Sequence, residues 1–172
     1  MRGIEAVFLA HVAATLFMTG LIWFVQVVHY PLFEQVGAGS FASYENGHTA
    51  RTTLVVAPAM LVEAATAALL LLMPPAGAPR WALWVGAGLV AVNWLSTAML
   101  QVPQHNVLGL GFDREAHDLL VRTNWVRTVA WSLRAMLVLW LAAKFLAGPE
   151  GLTCTGLSSS EEASAAFMPR RH

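Results

Sequence analysis

The amino-acid sequence predicts an all-α integral membrane protein, an up-down-up-down four-helix bundle. Three observations predict it. Of 172 residues, 57% are apolar and only 12% charged, against roughly 25% charged in a typical soluble domain. Four apolar stretches each reach the ~20 residues needed to cross a hydrocarbon core. Prolines and glycines separate them cleanly. A water-soluble fold could not bury that much apolar surface in a chain of this length.

The first span covers residues 6–29 and ends at Tyr30-Pro31, because proline has no N–H to continue a helix. Its apolar run is longer than a signal-peptide core and no small-residue cleavage site follows, so it is read as retained. The second span covers 52–73 and stops at Met73-Pro74-Pro75, where Gly77 and Pro79 make a tight turn. The third covers 81–102, closed by Pro103, and the fourth covers 119–147, stopped by Gly148-Pro149. Between the spans, Ser40 to Ser43 has the look of a helix start, with Phe41 and Tyr44 on the interface, and Gly109-Leu110-Gly111 reads as a turn. Residues 1–148 are therefore expected to form the bundle. Residues 149–172, rich in small and polar side chains such as Ser158, Glu161 and Glu162, are expected to form a mobile tail.

Short connections force the loops 31–51 and 103–118 onto one membrane face, the loop face, with both termini on the other. Trp81, Trp84 and Trp140 sit near one set of span ends, and Tyr30, Tyr44 and Trp125 near the other, as interfacial anchors do. Arg2, Arg80 and Lys144 flank the terminal face, while Arg51, Arg114 and Arg122 flank the loop face. If Arg51 and Arg122 point into the bundle, the positive-inside rule leans toward cytoplasmic termini. Formal charges cancel and no basic tract carries interleaved aromatics, which argues against nucleic acid as a partner. Cys154 is the only cysteine, so intramolecular disulfides and Cys-based metal motifs are excluded.

An ionisable group at mid-bilayer costs at least ~2.5 kcal/mol and should face the bundle interior. Glu63 lies twelve residues inward from Arg51, and Arg134 twelve inward from Arg122, which places both roughly 18 Å below the loop face. A buried Glu63–Arg134 pair is expected, as a register lock or as catalytic groups. Polar residues on each span also share one stripe: His11, Thr15, Gln26 and His29; His48, Thr52, Glu63 and Thr66; Asn93, Thr97, Gln101 and His105; His117, Asn124, Arg127 and Arg134. For Thr15, Asn93 and Thr97, hydrogen bonding between helices is explanation enough.

Four histidines, one per span, gather at the loop face: His29, His48, His105 and His117. Imidazole ligates Zn, Cu, Fe and Ni, and carboxylates such as Glu34, Glu45, Asp113 and Asp118 lie close in sequence. A transition metal (Fe, Cu or Zn) or a haem is the cofactor such a set would hold. Gln26, Gln101 and Asn124 are placed to bind substrate, and Arg51 and Arg127 to hold developing negative charge. Each histidine taken singly is more often an ordinary polar residue at a span end; the weight lies in one coming from each helix. Gly-x-Ser-x-Gly, HExxH, Cys-x-x-Cys and phosphate-cradling glycine loops are absent from the sequence.

The runs His29-Tyr30-Pro31-Leu32-Phe33, Glu45-x-x-His48-x-x-Arg51, Pro58-x-Met60-Leu61-x-Glu63, Trp94-x-Ser96-Thr97-Ala98, Gln101-x-Pro103-x-His105 and Asn124-Trp125-x-Arg127-Thr128 resemble those of small bacterial four-span membrane proteins. That resemblance covers residues 4–146 and implies no activity. By size, topology and a first span ending in proline, the chain also looks distantly like the anthrone-oxygenase-like family. That likeness implies oxidation of a lipophilic or aromatic substrate by dioxygen.

The leading expectation is a membrane-embedded, metal- or haem-dependent oxidoreductase acting on a lipophilic small molecule drawn from the bilayer. Glu63 and Arg134 would close the pocket floor or move a proton. Two other classes fit the same residues. One is a small transporter or proton relay along the Glu63/Arg134 axis, for which a homo-oligomer would supply room for alternating access. The other is a non-catalytic subunit of a membrane complex, whose polar stripes serve packing alone.

Overall fold

The structure is a computed structural model that describes residues 2–147. The element order is α1 (Arg2–Phe24), a π-helical turn (Val25–His29), a 3₁₀ turn (Pro31–Gln35), α2 (Ala38–Leu72), α3 (Arg80–Ser96), a second π-helical turn (Thr97–Gln101), α4 (Val102–Leu108) and α5 (Arg114–Ala147). Joined through these turns they make four rods, Gly3–Gln35, Ala38–Leu72, Arg80–Leu108 and Arg114–Ala147, each long and apolar enough to cross a membrane. Among the described residues there is no strand. The fold is all-α, four helical rods, as expected. The tail expected at 149–172 and the Gly148-Pro149 stop, with Cys154 and His172, lie outside the described residues.

Two units divide the chain. Met1–Leu139 is one and Trp140–His172 the other; in the described part of the second the Lys144 ammonium sits 4.8 Å from the centre of the Trp140 ring.

In the bundle the four polar stripes turn inward, and none of their residues is exposed. Mid-height they meet in one network. The Arg134 Nε donates to Glu63 Oε1 at 2.9 Å, and both side chains are 1% exposed. Glu63 also accepts from Thr15 Oγ1 at 3.0 Å and, through Oε2, from Trp131 Nε1 at 3.0 Å. The rest of the guanidinium donates to the Gly86 carbonyl, to Thr15 Oγ1 at 3.3 Å and to His11 Nε2 at 3.3 Å. Because His11 Nε2 accepts there, its Nδ1 carries the proton and donates to Thr66 Oγ1 at 2.8 Å. All four rods contribute. Thr97, in contrast, bonds its own helix at the Asn93 carbonyl, and the buried Asn93 amide has no hydrogen-bond partner, so for Asn93 the interhelical role is not seen.

The helices are longer than hydropathy suggests at the loop face. Most of the 31–51 loop is helical, and α2 starts at Ala38 rather than near 52. Phe41, Glu45 and His48 recur there at helical spacing and face inward, Phe41 and Glu45 fully buried, so polarity hid an interior stripe. Phe41 is thus core rather than interface, while Tyr44 is exposed as expected. Pro103 does not end the third rod. The π turn carries the Val102 N–H to the Thr97 carbonyl, and Pro103 then sits in the first turn of α4, where its missing N–H costs little. The fourth rod begins at Arg114, with the Asp113 carboxylate accepting the Ala116 N–H at 2.8 Å. In the turn after α2, Gly77 takes φ +77°, which only glycine adopts without strain. Arg51 and Arg122 are both exposed rather than turned into the bundle, which removes the charge asymmetry that favoured cytoplasmic termini.

Replacing Glu63 by Ala strands the buried Arg134 guanidinium and should cost about 3–5 kcal/mol, read as a lowered thermal midpoint in detergent. The double variant Glu63→Met/Arg134→Met should recover most of the loss. Equal destabilisation by both would show that the pair's mutual attraction is not what holds this level of the bundle.

Candidate metal centre and adjoining cavities

A π turn adds a residue to one helical turn and so rotates the side chains after it, a device common near functional sites. Among the described residues both π turns lie at the loop end, and His29, Tyr30, Gln101 and His105 lie on or just beyond them. α2 supplies Glu45 and His48 three residues apart, hence on one face.

These side chains converge. The His29 Nε2 lies 2.8 Å from His48 Nδ1, which the Thr52 hydroxyl also reaches at 3.1 Å. The ring centres of His48 and His105 are 5.5 Å apart. The fully buried Glu45 places Oε1 2.5 Å from His105 Nδ1, and His105 Nε2 lies 3.0 Å from the Tyr30 hydroxyl. An ionised carboxylate only accepts, so Nδ1 holds the imidazole proton and Nε2 accepts from the Tyr30 O–H. The result is a carboxylate–imidazole–phenol chain. The other Glu45 oxygen, Oε2, is buried without a hydrogen-bond partner.

One donor atom each from Glu45, His48 and His105 lies within 4.8 Å of the others. Ligands held at 2.0–2.2 Å around one ion stand roughly 3–4 Å apart, so side-chain movements of about 1 Å would bring these three onto a single cation. The unpartnered Glu45 oxygen is the feature that makes an ion fit here. A haem ligated on both faces by two of these rings does not fit: the His29 and His48 ring centres are 4.6 Å apart, those of His48 and His105 5.5 Å, and neither gap admits a porphyrin plate.

His117 stays apart from the other three. The fully buried Phe33 ring stands between, with its centre 5.3 Å from His29, 5.2 Å from His48 and 6.2 Å from His117. His117 Nε2 donates to the Tyr30 carbonyl at 2.8 Å, while Nδ1 turns to Glu34 at 3.5 Å and Asp118 at 3.8 Å. One imidazole thus fixes the backbone of the residue whose hydroxyl fixes another. Asp113 is spent on capping α5.

Two cavities adjoin the cluster and share His48. The first, about 500 Å³, lies between α1 and α2 against Phe24, Val25, His29, Tyr44 and the exposed Arg51. The second, about 380 Å³, lies between α2 and the third rod and reaches Tyr30, Gln101, His105 and Arg127. Neither is lined by Glu63 or Arg134. Gln26 and Asn124 are bonded to each other at 2.9 Å, with Gln26 also donating to the Val121 carbonyl at 3.2 Å, so they brace the π turn of the first rod against α5. Gln101 accepts from Ser96 at 3.0 Å and donates to Thr123 at 3.2 Å while lining the second cavity.

Tyr30 is the main residue that sequence reasoning misplaced, as an interfacial anchor; it is 3% exposed and bonded from both its ends. Its signal was adjacency to His29 ahead of Pro31, but only the π turn aims it inward. Glu45 and Phe33 carried the signal of helical spacing to His48 and to the histidine-bearing end. No family model, curated protein or solved structure matches the chain.

Truncating Phe33 to Ala should cost about 3–5 kcal/mol, since it empties the space between two imidazole groups. Arg51→Gln, at an exposed position, should change stability by less than about 0.5 kcal/mol. Thermal unfolding of the two variants side by side checks both.

Proposed function

We propose that this chain is a membrane-embedded, metal-dependent oxidoreductase acting on a lipophilic small molecule. A single observation carries the reading: two histidines and a buried carboxylate converge beside cavities with largely apolar walls. Glu45, His48 and His105 would hold the ion, with His29 orienting His48 and Tyr30 orienting His105. A two-histidine, one-carboxylate set suits iron, zinc or copper, and the ion would supply electron exchange or polarisation of a bound oxygen.

The chain's own residues have the complementary tasks. Apolar cavity walls exclude water and accept the substrate body. The Tyr30 hydroxyl, bonded to His105 Nε2 and bordering the second cavity, can give or take a proton there. Dioxygen as oxidant, a bacterial inner membrane as the location and a second copy of the chain as partner belong to the same proposal. What supports the lipid setting is the four apolar rods.

The Glu63/Arg134 axis favours structure over transport. The pair is saturated by hydrogen bonds from all four rods, and neither cavity reaches it.

Protein purified without chelators should contain about one equivalent of Fe, Cu or Zn and show no Soret band. His48→Ala/His105→Ala should lose that metal, whereas His117→Ala should keep it. Elemental analysis finding no stoichiometric metal, before or after reloading, would remove the oxidoreductase reading.

A further inference from the structure

Arg127 is the least well matched charge in the bundle. It is 6% exposed, yet no carboxylate lies within ion-pair distance of it among the described residues, and its Nε has no hydrogen-bond partner. Its neighbours are neutral: the Asn124 side-chain Oδ1 accepts from Nη1 at 3.3 Å, the Trp131 ring centre lies 5.2 Å away, and the Tyr30 hydroxyl is a hydrogen-bonding neighbour. A guanidinium cannot shed its proton to escape burial, and neutral acceptors with one ring face offset only part of that cost, so an anion from outside the chain would complete its set of partners.

The surroundings say what carries that charge. Arg127 lies on the wall of the cavity of about 380 Å³, a volume suited to a small molecule. Met18, Ile22, Val56 and Met60 make an apolar wall of the same cavity. Thr53, Trp94 and Val102 also line it and are exposed on the outer surfaces of α2, α3 and α4, so part of its mouth opens sideways between helices, while the exposed Asn106 lines it near the loop end. The chemistry that satisfies both ends is an anionic head on an apolar body, arriving through the side of the bundle. The planar fork of a guanidinium matches a carboxylate in two parallel hydrogen bonds, with the Tyr30 hydroxyl beside it.

We propose that the second cavity binds an amphiphilic carboxylate, a fatty-acid-like molecule whose carboxylate is held by Arg127 and whose chain lies along the apolar wall toward the gap at Thr53 and Trp94. This names the substrate class of the site proposed above and rests on that reading only for the reaction; binding itself needs no metal. The carboxylate end would then lie beside Tyr30 and His105, which border the same cavity.

The test is calorimetric titration of the full chain, metal-stripped and held in phosphatidylcholine nanodiscs, with dodecanoate and with dodecan-1-ol. Wild type should bind dodecanoate saturably near one equivalent and the alcohol at least about tenfold more weakly. Arg127→Gln should weaken dodecanoate by at least about tenfold, the loss of one charged contact. Arg114→Gln, an exposed change of the same charge, should leave it unaltered. If Arg127→Gln does not fold, Thr53→Trp decides, because it alters only the mouth and should weaken binding by obstructing it. Equal binding of acid and alcohol, or dodecanoate binding unchanged by Arg127→Gln or by Thr53→Trp, overturns the proposal. Dodecanoate binding by a protein that takes up no metal would sink the oxidoreductase reading and leave this one standing; metal uptake without dodecanoate binding would do the reverse.

Discussion

The Glu63–Arg134 ion pair is the constraint around which the bundle is built. Neither charge could stand alone at that depth in an apolar setting, so the second and fourth rods must meet at one height and one rotation. Thr15 and His11 then fix the first rod to the pair, and the Gly86 carbonyl fixes the third. In lipid, helix association gains little from hydrophobicity, because acyl chains are as apolar as leucine. Directional polar contacts therefore decide which helix faces touch, and this network orients all four at once.

With the middle locked, the loop end is set by sterics and register. The π turns rotate His29, Tyr30 and His105 into a common interior. Phe33 then partitions that interior into a cluster of three imidazoles with Glu45 and a separate His117 bound to the Tyr30 carbonyl. Tyr30 joins the two halves through its hydroxyl and its backbone. The polar groups lie beside cavities that open between helices, which suits a ligand dissolved in the membrane better than one arriving from water.

Two kinds of buried polar group are thereby separated. Glu63, Arg134, Gln26 and Asn124 are satisfied by protein and act as struts. Glu45 Oε2 and Arg127 Nε are buried without partners and lie at or beside the cavities. Asn93 and His117 Nδ1 are also buried without partners yet line neither cavity, so it is the neighbouring cavity, together with the unpaired atom, that points to a ligand at Glu45 and Arg127.

The sequence by itself determined the helical rods, their inward stripes and the Glu63–Arg134 pair. Hydropathy, helical period and the cost of charge in lipid act through local composition and rise per residue, which a linear chain displays. It also placed the histidines at one end. Only the tertiary structure decided which of them meet. Whether His117 joins His29, His48 and His105 depends on the Phe33 ring and on π turns that rotate side chains by a fraction of a turn. The inward aim of Tyr30, the outward turn of Arg51 and the missing counter-ion of Arg127 are of the same kind. Each is settled by contacts between residues far apart in the chain, and no periodicity encodes them.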